Sequence, residues 1–100
     1  MRIRHLKEAV ADQRREALFW QKQRSGLEKE FAKEFEAAIQ AISLSPDGYI
    51  RVSKKRELRR FHEKRFHTQI IYEYLPDEDL LRIVRVYNAR MNPAPFVPKK

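Results

Sequence analysis

His62 and His67 stand close together among arginines, and they are the side chains whose types and spacing suit chemistry. Cleaving an RNA phosphodiester takes a base for the 2′-hydroxyl proton, cations for the charged phosphorane and an acid for the leaving oxygen. Either histidine suits the proton transfers, and Arg59, Arg60, Arg82, Arg85 and Arg90 supply cations. The plainer reading is that both histidines flank a turn at residues 63–65 and face solvent. Tyr72 and Tyr74 lie on one face of a strand and either stack on bases or belong to the core. Other chemistries fall away. There is no cysteine, and His5, His62 and His67 lack the close spacings of zinc ligands, so no metal and no other cofactor is expected. Gly26 and Gly48 are the only glycines, so no glycine-rich phosphate loop can form. Ser25, Ser43, Ser45 and Ser53 fall in cap, helix-end, turn and loop contexts rather than in a nucleophile elbow.

These side chains must be positioned by a scaffold of 100 residues, enough for one modest core. Residues 1–6 alternate with period two and predict a short strand. Residues 8–23 contain no proline or glycine and predict a helix, with Val10, Ala17, Leu18 and Gln21 near one face. Ser25-Gly26-Leu27-Glu28 has the spacing of a capping box and predicts a second helix start. From there Leu27, Phe31, Phe35, Ala38 and Ile42 form one apolar stripe, which Ser45-Pro46-Asp47-Gly48 ends. After Tyr49 the period becomes two. Residues 49–53 and 57–62 predict short extended pieces, and 66–75 a strand with Phe66, Thr68, Ile70, Tyr72 and Tyr74 on one face. Residues 80–88 predict its partner across the polar turn Pro76-Asp77-Glu78-Asp79. The expected fold class is α+β: an N-terminal strand, an antiparallel helical hairpin, then a three- to four-stranded, mainly antiparallel sheet with one face covered by the helices. Beyond Asn92, Pro93, Pro95 and Pro98 predict an extended tail carrying Phe96 and Val97.

Charge is unevenly spread. The formal net charge is +8, of which the residues from Tyr49 onward carry +7. The window from Arg51 to Arg65 is the densest, with eight basic side chains against Glu57 and Glu63. Such a face seeks a polyanion or an acidic protein. No apolar run approaches the ~18 residues of a membrane span, so no membrane partner is expected. The charged N-terminus lacks an export signal, and the expected location is the cytoplasm.

Several runs together resemble the RelE/ParE superfamily of bacterial toxins, most closely its ParE branch. They are Glu8-Ala9 with Asp12, the run from Phe31 to Ile42 closed by Pro46, Phe66-His67-Thr68-Gln69-Ile70-Ile71-Tyr72, and the run from Ile83 to Pro93. The third matches the family's F-P-Y-x-I-I-Y strand with His for Pro and Thr for Tyr; the last resembles its final strand and H-x-R-R-x-P ending. The resemblance implies one toxin domain at residues 1–92, with 93–100 as the tail. It also implies a cognate antitoxin whose acidic segment wraps the toxin.

One branch of that superfamily cleaves messenger RNA on the ribosome, and the other poisons DNA gyrase. The nuclease branch carries an arginine three positions before the strand tyrosine, and here that position is Gln69. Its C-terminal helix is replaced by the proline-rich tail. Arg90 occupies its later arginine position, and Arg59 or Arg60 stand for its basic strand residues, whereas Asn88 and Met91 depart from the H-x-R-R pattern. The gyrase-poisoning branch is therefore expected, with Arg56, Arg59, Arg60, Gln69, Asn88 and Arg90 as target or antitoxin contacts and no catalytic residue. The alternatives are a ribosome-dependent nuclease using Arg60, His62, His67 and Arg90, and a basic binding domain without toxicity.

Overall fold

A computed structural model describes residues 1–90. The elements run β1 (Arg2–His5), α1 (Lys7–Gln23), α2 (Leu27–Leu44), β2 (Ile50–Arg51), β3 (Leu58–Glu63), β4 (Thr68–Leu75) and β5 (Leu80–Asn88). The five strands form one sheet in the order β1-β5-β4-β3-β2. β1 lies parallel to β5, and every other neighbouring pair is antiparallel. The α+β class and the helical hairpin are as expected, and the N-terminal strand joins the sheet at its edge beside β5. The proline-rich tail expected from Asn92 lies outside the described residues. No helix among the described residues is long and apolar enough to cross a membrane.

The stripe on α2 becomes the core. Phe31, Phe35, Ala38, Ile39 and Ile42 pack against Phe66, Ile70, Tyr72, Leu81, Ile83 and Val86. Each large side chain so buried contributes on the order of 1.5–3 kcal/mol. Phe66 lies in the turn between β3 and β4 rather than on β4, yet it still faces the helices. Its ring meets Phe31 at 5.6 Å and Trp20 at 5.0 Å, both edge to face. Glu63 makes that turn possible by accepting the backbone N–H of Arg65 at 2.7 Å and of Phe66 at 2.9 Å. The four-residue link between β4 and β5 is one 3-10 turn at Pro76–Glu78, closed by Asp79 at φ 50°. Proline suits the first position of such a turn, and a short polar side chain tolerates the left-handed one.

Two local expectations are corrected. Ser25 caps nothing: α2 starts from Gly26 in the left-handed conformation at φ 94°, and Glu28 accepts the Gly26 N–H at 2.8 Å. The cap falls one residue later than the capping-box spacing requires, because glycine alone reverses the chain there without strain. On α1 the buried residues are Ala9, Asp12 and Glu16; of the expected face, Ala17 packs against the core and Val10 is half-buried, while Leu18 and Gln21 are exposed. β1 stops opposite Ile83, so α1 packs over the bare edge of β5 beyond it. An exposed backbone edge needs acceptors, and a polar side chain supplies one. Asp12 Oδ2 accepts the Val86 N–H at 2.9 Å, and Arg15 donates to the Val86 carbonyl at 3.5 Å.

Candidate functional site

The helices cover one face of the sheet, and strand register decides which side chains reach the other. Directly opposed residues share a face. His62 pairs with Gln69, Arg60 with Ile71 and Leu58 with Glu73 across β3 and β4. Gln69 pairs with Tyr87 and Glu73 with Arg82 across β4 and β5. A bulge beside Ile71 and Tyr72 leaves Val84 as the extra residue of β5. The open face is therefore built on Leu58, Ile71, Val84 and Tyr87, which form a second apolar cluster with Leu6 and Val52 against it.

Polar groups ring that cluster. Gln69 Nε2 donates to His62 Nδ1 at 2.5 Å, which fixes both side chains. The His67 ring lies 6.2 Å from that of His62, and His67 holds the turn at φ 56°. Burial raises the Tyr87 phenol above its ordinary pKa, and the Arg60 guanidinium nearby opposes that rise. Arg60 forms no ion pair among the described residues. Arg82, by contrast, is bound to Glu73, and Arg85 donates to Asp12 at 2.7 and 3.1 Å.

The sequence candidates divide accordingly. Arg60, Gln69 and His62 come together on the open face, with His67 at its rim. Arg59 points the other way, donating to the Tyr49 carbonyl at 2.8 Å and lying 3.9 Å from Asp47. Asn88 is buried, with 3% of its surface exposed. Its amide donates to the Phe66 carbonyl at 3.3 Å, and its oxygen accepts the Arg90 N–H at 2.8 Å. Asn88 thus closes the end of β5 instead of facing outward. Arg90 is exposed just beyond it, and Arg56 is exposed in the loop between β2 and β3.

Three open-face residues were not singled out as site residues from the sequence: Tyr87, Glu73 and Val84. Counting from the Leu75–Leu80 pair without a bulge places Val86 opposite Gln69, whereas the bulge places Tyr87 there. Nothing in the local sequence marks that extra residue. Chemically, the face offers an imidazole held by an amide, a phenol and an apolar centre, with Arg60 and, on the β1 edge, Arg4 as cations that form no ion pair among the described residues. On the other side of β3, a groove of about 400 Å³ runs between Ala37, Ala38 and Glu34 of α2 and Phe61, Lys64 and Arg65. Its cation Arg65 is already bound to Glu30 and lies 3.7 Å from Glu34.

No family model and no curated protein sequence matches the chain. Solved structures do. A chain of the chromosomal ParDE toxin-antitoxin system from P. aeruginosa superposes with a TM-score of 0.73 at 12% identity, over 88% of this chain and 95% of that one. A chain of the intact E. coli RelBE toxin-antitoxin complex superposes with a TM-score of 0.53 at 11% identity, over 85% of this chain and 92% of that one. The better superposition is with the ParDE chain. The strand order, the helical hairpin over one face and these two superpositions agree: the chain has the RelE/ParE fold.

Proposed function

We propose that the chain is the toxin of a type II toxin-antitoxin pair, of the ParE-like kind that inhibits growth by poisoning DNA gyrase, held inactive in the cytoplasm by a cognate antitoxin. The observation that carries this reading is the centre of the open face. There Gln69 is tied to His62, and the neighbouring arginines Arg82 and Arg85 are bound to Glu73 and Asp12. A phosphoryl-transfer site concentrates cations on the phosphate as charge develops. Here Arg82 and Arg85 are already neutralised, and a surface of this composition suits binding. The formal charge of +8 suits an acidic antitoxin segment. Induced expression arrests growth and leaves cleaved DNA in complex with gyrase; co-expression of an antitoxin encoded beside it restores growth. Arrest with intact DNA and active gyrase contradicts the target.

One observation favours a second reading. His62 and His67 present their rings 6.2 Å apart next to Arg60, an arrangement of the type an RNA-cleaving acid and base require. Under that reading Arg90 completes the cationic side, and ribosome-bound messenger RNA is cut.

A further inference from the structure

The loop between β2 and β3 carries the densest charge that is not neutralised within the molecule. Lys54, Lys55 and Arg56 are all exposed and form no ion pair among the described residues. Several cations elsewhere are matched: Arg24 to Glu30, Arg51 to Glu57, Arg65 to Glu30 and Glu34, Arg82 to Glu73 and Arg85 to Asp12; the unmatched ones, such as Lys7, Lys22, Lys33 and Arg60, are not consecutive in the sequence. The loop is also held in shape. Ser53 Oγ accepts the backbone N–H of Lys55 at 3.2 Å and of Arg56 at 3.1 Å, a local turn that fixes where the cations project.

What such a surface recognises follows from what it lacks. Val52 is turned inward onto the Leu58 cluster, and residues 53–57 contain no apolar or aromatic side chain. A protein partner needs an apolar centre to desolvate, and a single-stranded nucleic acid needs aromatic rings to stack on. A duplex phosphate backbone needs only cations and backbone donors. β3 leads away from this loop for six residues, roughly 20 Å, to Lys64, which is exposed and forms no ion pair among the described residues. Both cationic ends therefore fall within one helical turn of a duplex, about 34 Å. The acids Asp77, Glu78 and Asp79 occupy the turn between β4 and β5 at the same end of the sheet, so a polyanion follows the β2–β3 edge and does not cross the strands.

We infer that this loop, through Lys54, Lys55 and Arg56, is a contact for the phosphate backbone of duplex DNA. The inference builds on the gyrase reading, since the target enzyme holds a duplex. The test is fluorescence anisotropy of a labelled DNA duplex across a salt series, with the intact chain and two triple variants. Lys54→Gln/Lys55→Gln/Arg56→Gln weakens binding on the order of tenfold or more and lowers the slope of log K against log salt by about 3. Lys7→Gln/Lys22→Gln/Lys33→Gln, which removes the same charge from the helical hairpin, changes binding no more than about twofold. Equal weakening by the two variants, or no weakening by the first, overturns the inference. So does loop-dependent binding of an acidic peptide or of single-stranded RNA without binding of duplex DNA. The two readings fail separately. A chain that poisons gyrase while the loop variant binds duplex normally removes only the DNA contact. A chain that leaves gyrase untouched while duplex binding depends on the loop removes only the gyrase target.

Discussion

The Asp12 carboxylate on α1 holds Arg85 and the Val86 backbone of β5 at once, across 73 residues of sequence, with Arg85 Nε at 2.7 Å and the Val86 N–H at 2.9 Å. Only 2% of Asp12 is exposed. Removing the carboxylate takes this ion pair from Arg85 and leaves the Val86 N–H without its acceptor, so Asp12→Ala destabilises the fold by about 1–3 kcal/mol. Burial alone pushes the Asp12 carboxyl up, but the Arg85 and Val86 hydrogen bonds and the nearby arginine charges outweigh it, and the folded group titrates below its ordinary value. A depressed carboxylate stabilises above its unfolded pKa and loses that contribution as pH falls through the folded one. Denaturant melts therefore show the gap between Asp12→Ala and the parent narrowing below about pH 4; a gap that stays constant into acid contradicts the ion-pair account.

Glu16, one turn further along α1, behaves in the opposite sense. It is 4% exposed, and its Oε1 accepts no hydrogen bond among the described residues. Burial raises its pKa, partly countered by Arg15 and reinforced by Asp12. A raised carboxyl favours the protonated form, so the Glu16 contribution to stability is fully present below the unfolded pKa, about 4.3, and is lost as pH rises through the folded value. Glu16→Gln stabilises the protein by about 1 kcal/mol at pH 7 and has little effect near pH 4. Thermal melts at the two pH values check this, and a destabilising substitution at pH 7 contradicts it.

Much of this architecture was legible in the sequence because it rests on periodicity. The α2 stripe and β5 follow from apolar spacing, and the β4–β5 hairpin follows from its polar turn. What escaped depends on contacts distant in sequence. The inward face of α1 includes the buried acids Asp12 and Glu16; Asp12 is there because β1 ends early and leaves the β5 edge bare, which no count along residues 7–23 reveals. The open-face role of Tyr87 depends on a single extra residue in β5. Asn88 and Arg59 have the right types for surface contacts, but each is committed to a backbone carbonyl, at Phe66 and Tyr49. Arg60 and Gln69, expected as contacts, and His62, expected only under the nuclease alternative, share one face because they occupy adjacent, in-register positions of a regular hairpin.

Adjacent arginines on β3 separate stability from contact. Arg59→Ala removes the bond to the Tyr49 carbonyl and costs about 1 kcal/mol, while growth inhibition persists. Arg60→Glu reverses a charge on the open face, abolishes growth inhibition and shifts stability by no more than about 0.5 kcal/mol. Paired growth assays and thermal melts read both. Growth inhibition that survives Arg60→Glu excludes the open face as the contact surface.

Tyr72 is fully buried, and its hydroxyl donates to the Pro46 carbonyl at 2.6 Å, anchoring the end of α2 to the sheet. Burial pushes its pKa up to about 12, so it stays protonated throughout the working range. Tyr72→Phe leaves that carbonyl without the bond and lowers stability by about 1 kcal/mol, evenly between pH 6 and 9. A pH-dependent loss across that range in chemical denaturation contradicts a purely hydrogen-bonding role.

The histidines decide between binding and catalysis. A gyrase poison does not need them as acid and base, so His62→Ala/His67→Ala retains growth inhibition within about threefold, whereas a nuclease loses it by 100-fold or more, about the size of a general acid-base contribution. Circular dichroism of the purified variant establishes that the fold is intact.

The most direct measurement is a supercoiling assay with purified DNA gyrase, run beside cleavage of messenger RNA on programmed ribosomes with the same preparation. The account predicts loss of supercoiling with accumulating cleaved DNA, and intact RNA. RNA cut on the ribosome with gyrase untouched would contradict it and assign the open face, with Gln69 in place, to catalysis.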